Sequence, residues 1–131
     1  MAIWQTAALL VIFAASAWLA FVAVLCVSDP GKARAGLAAM GSTWAIQVGE
    51  HGLRGLAGAA MIMRADASKS PVAFEAIGWF VLATSVLILL LPRNWHNAYA
   101  RWWAARIPTW AFRIASLPTL IGAVLLAYAA I

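Results

Sequence analysis

The chain has 131 residues, of which 66% are hydrophobic and 10% charged, a balance that leaves a water-soluble fold nothing to put on its surface. About 130 residues make one domain, and crossing a bilayer several times uses most of them, so little chain is left for a separate head. The net charge of +5 does not point to nucleic acid, because the Lys and Arg residues fall in short gaps between apolar runs, the pattern of positive-inside anchoring.

In chain order, the first apolar run predicts a membrane span over residues 3–27, with Trp4 and Gln5 at its outer edge. It lacks a basic n-region and stays uncharged from Met1 to Ser28, longer than the core of a signal peptide, so it reads as a retained helix. Cys26, the only cysteine, excludes an internal disulfide and a cysteine metal cluster. Asp29-Pro30-Gly31 predicts a turn, and Lys32 and Arg34 make the connection that follows it basic.

The second span is expected over residues 44–63, counted back from Arg64 by the length of one crossing. Residues 35–43 would then be an interfacial lead-in or the extension of a tilted helix. At 100° per residue Thr43, Gln47, Glu50 and Arg54 share one face, with His51 at its edge. Glu50 and Arg54 have the spacing and order of an i,i+4 ion pair. Ionised groups in hydrocarbon cost at least ~2.5 kcal/mol by insertion scales, so this stripe must face protein, water or a ligand. The other side carries small residues, Gly49 and Gly52 with Gly55 and Gly58 nearby, which are expected to be helix-packing positions.

Ser70 as N-cap and Pro71 at the first helical position predict a third span over residues 71–91. Pro92-Arg93-Asn94 ends it. Residues 95–106 are too polar to cross and too aromatic for a plain loop: Trp95, Tyr99, Trp102 and Trp103 gather on one side, against Arg93, Asn97 and Arg101 on the other. That is the signature of an amphipathic helix in the membrane surface. Trp95, Tyr99, Arg101, Trp102, Trp103 and Arg106 are the residues expected to dock anionic phospholipid or a neighbouring subunit. A fourth span follows over residues 109–131, with Pro118 as an expected kink.

Lys32, Arg34, Arg93, Arg101, Arg106 and Arg113 flank loops one and three, against Arg64 and Lys69 in loop two. Loops one and three are therefore assigned to the cytoplasm and both termini to the periplasm. The expected fold is an all-α integral membrane protein, a single domain of four transmembrane helices plus a cytoplasmic interfacial helix between the third and fourth.

Gly78-Trp79-Phe80, Leu89 to Pro92, Arg93-Asn94-Trp95-His96-Asn97 and Tyr99-Ala100-Arg101-Trp102-Trp103 resemble a pattern in small uncharacterised four-helix proteins of bacterial inner membranes. The likeness covers roughly the second half of the chain and the Arg54 region, and it implies a location but no activity. Small multidrug exporters are similar in size and helix count, but they rely on an acidic residue in the first span, and this chain has none there.

No catalytic or metal-binding constellation is legible. The expected function is a non-catalytic accessory, structural or assembly subunit of a larger bacterial inner-membrane complex, with other membrane subunits as partners. A small transporter or channel acting as a homo-oligomer is the alternative. A haem- or chlorophyll-type tetrapyrrole on His51, between small neighbours Gly49 and Gly52, is the third reading; it lacks a second intramembrane histidine, since His96 is assigned to the surface helix.

Overall fold

The computed structural model describes residues 2–131, and its regular elements are all helical: α1 (Ile3–Ser28), α2 (Pro30–Ala39), α3 (Trp44–Arg64), a 3-10 turn (Ala65–Ala67), α4 (Pro71–Leu90), α5 (Arg93–Arg106) and α6 (Thr109–Ala130). Three of these, α1, α4 and α6, are long and apolar enough to cross a membrane. α3 has the length, about 31 Å at 1.5 Å per residue, but carries Glu50, His51 and Arg54 in its middle.

The four long helices form a row in the order α4, α3, α1, α6, each antiparallel to its neighbour. α4 and α6, at the two sides of the row, do not pack along each other. An open row buries little: the accessible surface is 7997 Å², against about 6,700 Å² expected for a compact monomer of this mass. Among the described residues the largest side chains buried completely are Ile12, Gln47 and the small Ser85. The row therefore leaves most apolar side chains of α1, α4 and α6 facing outward, including Trp18, Phe21, Phe80, Leu90 and Leu117, as a lipid or protein surround requires.

The helices converge at the end where the chain begins. Ala8 and Ile12 of α1, Ala60 and Met61 of α3, Ala65, Phe74 of α4 and Ala130 of α6 form the apolar core there. Polar side chains close the same end by capping orphan helix carbonyls. Gln5 Nε2 donates to Met63 O at 2.9 Å, Arg64 Nε to Ala130 O at 2.9 Å, and Lys69 Nζ to Tyr128 O at 3.1 Å. Two cations thus sit on the C-terminus of α6, where the helix dipole favours positive charge.

At the far end the expected basic loop is instead a helix, α2. The turn anticipated at Asp29-Pro30-Gly31 is present, but Pro30 occupies the first helical turn and Asp29 caps it, accepting from the Lys32 N–H at 3.0 Å. That bond, more than the nearby Lys32 ammonium, holds the Asp29 carboxyl below the usual carboxylate range. A proline that ends one helix is equally suited to begin the next, because its missing N–H is an orphan position anyway. α2 packs against α5 and crosses the ends of α1 and α6. α5 starts at Arg93, two residues before the expected boundary, and α6 continues unbroken through Pro118.

α3 and α4 are in intimate contact. A Cβ on Gly58 would lie 2.8 Å from both Gly78 O and Leu82 N, and one on Gly78 would lie 2.8 Å from Gly58 O. Only a glycine pair lets two helix backbones approach this closely.

Candidate functional site

Polar side chains concentrate where the first two turns of α3 meet the 40–43 turn and α5. Thr43 caps α3, its hydroxyl accepting from the Ile46 N–H at 3.1 Å, and it is exposed. It belongs to the helix start rather than to an interior polar stripe, which corrects its expected role. One turn on, Gln47 is wholly buried. Its Nε2 donates to Ile88 O of α4 at 3.1 Å, which fixes the amide so that Oε1 faces His96 Nδ1 at 2.8 Å.

With Oε1 as the acceptor, Nδ1 of His96 carries the proton, and Nε2 of the neutral ring keeps its lone pair. Burial holds the His96 imidazole below the usual histidine range, consistent with that neutral form. The His51 ring meets the His96 ring edge to face, with centroids 4.8 Å apart. His51 is 7% exposed and neither ring nitrogen has a hydrogen-bond partner; Glu50 Oε2 is likewise buried without one. His96 lies on α5, but the expectation that this keeps it apart from His51 is overturned. Its side chain reaches from α5 to α3, onto Gln47 and His51.

The 40–43 turn locks this junction. Gly41 has φ +70°, the only positive φ among the described residues, and a Cβ there would lie 2.8 Å from His96 Nδ1 and 3.0 Å from Gln47 Oε1. Glycine is required at this position both for its backbone angle and for the space. Arg93 Nη1 donates to Gly41 O at 3.0 Å and also to Ser42 O, while Asn97 Nδ2 donates to Met40 O at 2.8 Å and Ala38 O at 3.1 Å. The side of α5 taken from the helical wheel as a charged outer face is therefore split. Arg93 and Asn97 turn inward onto the turn's carbonyls, and Arg101 stays exposed.

The expected Glu50–Arg54 ion pair is absent: among the described residues the one ion pair is Lys32–Asp29. The Glu50 carboxylate lies toward the Gly41 amide instead. Arg54 is half-buried with no hydrogen bond or ion pair among the described residues. The glycine ridge also divides. Gly55 and Gly58 pack on α4, whereas a Cβ on Gly49 or Gly52 would meet nothing within 4 Å.

Two chemical readings can be weighed on this geometry. A macrocycle ligated by His51 and resting on Gly49 and Gly52 does not fit, because His51 is buried on the inner face and those glycines open outward. No group of three or more His, Cys, Asp or Glu among the described residues is placed to hold a metal ion. The aromatic side of α5, with Trp95, Tyr99, Trp102 and Trp103, is exposed as expected. Arg106 stacks over Trp102 at 3.8 Å and donates to its carbonyl at 3.1 Å, and Trp102 and Trp103 meet edge to face at 5.0 Å.

No family model matches the chain, and no curated protein or solved structure matches it.

Proposed function

We propose that the protein is a non-catalytic accessory or assembly subunit of a larger complex in a bacterial inner membrane. α1, α3, α4 and α6 cross the bilayer, α5 lies in the cytoplasmic interface, and both termini face the periplasm. The observation that carries this reading is α3: it holds a half-buried Arg54 that makes no ion pair with the described residues and a small-residue face at Gly49 and Gly52 with no described atom within 4 Å of an added Cβ. An arginine at membrane depth is stabilised by a partner group, and a small-residue face suits close approach of another helix.

Gentle detergent extraction from the native membrane, followed by native gel and mass spectrometry, tests the proposal. Co-migration with a defined set of other subunits is expected, and loss of that set in Arg54→Gln would tie it to α3. Migration as the isolated chain or as a self-oligomer alone contradicts it.

One observation favours a second reading, a small oligomeric transporter or channel. A proton path normally needs ionisable groups on more than one helix, and His51 of α3 and His96 of α5 are in ring contact beside Glu50. Proteoliposomes holding a pH-sensitive dye distinguish the two: a proton flux abolished by His51→Ala supports transport, and its absence leaves the accessory role.

A further inference from the structure

α2 and α5 lie side by side at the far end and border an open groove of about 690 Å³ lined by Arg34, Arg101, Trp102 and small residues of both helices. Its floor is almost wholly alanine and glycine, so the two helices leave room between them. Its charged lining residues are two arginines. Arg34 reaches from α2 and uses Nη2 on Ile107 O at 2.6 Å, while its Nε is buried with no hydrogen-bond partner. Arg101, on α5, is exposed and makes no hydrogen bond or ion pair among the described residues. No carboxylate lines the groove, and the nearest in sequence, Asp29, is held by the Lys32 amide and ammonium.

We infer that this groove is a binding site for the phosphodiester head group of an anionic phospholipid, clamped between Arg34 and Arg101 with Trp102 at the rim. An apolar floor below two cationic walls matches an amphiphilic anion rather than a free one. The groove lies where α1 and α4 end and α6 begins, beside the exposed aromatic side of α5, which is where a lipid phosphate resides. Guanidinium forks suit a phosphate oxygen pair, and the exposed Arg101 has no bond to any described residue that would compete for its fork. The site rests on the membrane placement of α1, α4 and α6 and is independent of the role assigned to α3.

Native mass spectrometry of the full chain, delipidated in mild detergent and titrated with phosphatidylglycerol or phosphatidylcholine, tests it. One phosphatidylglycerol is expected to bind about 25-fold more tightly than phosphatidylcholine, on the basis of about fivefold per arginine at a membrane surface. Arg101→Gln, which breaks no internal bond, should reduce the preference to about fivefold, and Arg34→Gln with Arg101→Gln should abolish it while helix content by circular dichroism is unchanged. Equal retention of the two lipids overturns the inference, as does an undiminished preference in Arg101→Gln. Displacement of phosphatidylglycerol by millimolar inorganic phosphate would also overturn it, by marking the groove as a free-anion site.

Discussion

Gln47 is the residue on which the α3–α5 junction turns, because its single amide satisfies a carbonyl of α4 and a ring nitrogen of α5 at once. Gln47→Leu conserves volume but strands His96 Nδ1, while Ile88 O keeps the Leu91 N–H at 3.2 Å, and a buried unsatisfied group costs about 1–3 kcal/mol. Thermal unfolding in detergent should register a loss of that size, and an unchanged midpoint would show that water replaces the amide. His96 yields a pH prediction. Its folded pKa lies below the ordinary value because burial disfavours the cation, so the unfolded chain binds the proton more readily. The stabilisation is therefore complete above the unfolded histidine pKa and is lost as pH falls through the folded one. Melting should be constant from pH 8 to 7 and decline toward pH 5. His51 and Glu50 are ionisable neighbours, so the comparison that isolates His96 is with His96→Asn: a smaller decline in that variant is expected, and an identical decline assigns the effect elsewhere.

α3 bears two kinds of glycine, and they make opposite predictions. Gly58→Ala places a methyl group against backbone atoms of α4, which cannot retreat without separating the helices, at about 1–3 kcal/mol for overpacking. Gly52→Ala meets nothing within 4 Å and should leave the isolated protein's melting unchanged or slightly raised through helix propensity, while weakening any partner seated on that face. Parallel melts and co-purification of the two variants check this; a large destabilisation by Gly52→Ala would show that the face is already packed. The same helix shows what sequence can and cannot disclose. Its boundaries were legible by counting one crossing back from Arg64 to Trp44, although the capping role of Thr43 was not, and the three apolar runs needed only composition. The buried face was displaced by a few tens of degrees, because a stripe of polar residues looks continuous on a wheel, whereas the neighbours bury Gln47 and His51 from the stripe together with Gly55 and Gly58 from beside it. α2 went unrecognised because Asp29-Pro30-Gly31 signals an ending and a beginning with the same residues. The contact of His96 with His51 joins positions 45 residues apart across two turns, and no local pattern encodes such a distance.

At the scale of the whole molecule the deciding question is whether α3 belongs to the bilayer. Its mid-helix charges set it apart from α1, α4 and α6, yet it runs between α1 and α4 along the row and its length matches a ~30 Å hydrocarbon core. Six cations, Lys32, Arg34, Arg93, Arg101, Arg106 and Arg113, lie at the far end or in the first turn or so of α6, against Arg64 and Lys69 at the other, which favours a cytoplasmic far end. Gly36 of α2 and Ala67 of the 3-10 turn are both exposed and flank α3 on its two sides. With the buried Cys26 replaced by serine, Gly36→Cys and Ala67→Cys can be labelled in intact cells by a membrane-impermeant thiol reagent. If α3 crosses, Ala67→Cys reacts from outside and Gly36→Cys reacts only after the membrane is opened. If both react from one side, α3 lies outside the hydrocarbon, Arg54 needs no partner there, and the docking role loses its physical basis. Reaction with the sides reversed would keep four spans and instead place α2, α5 and their arginines at the periplasmic leaflet.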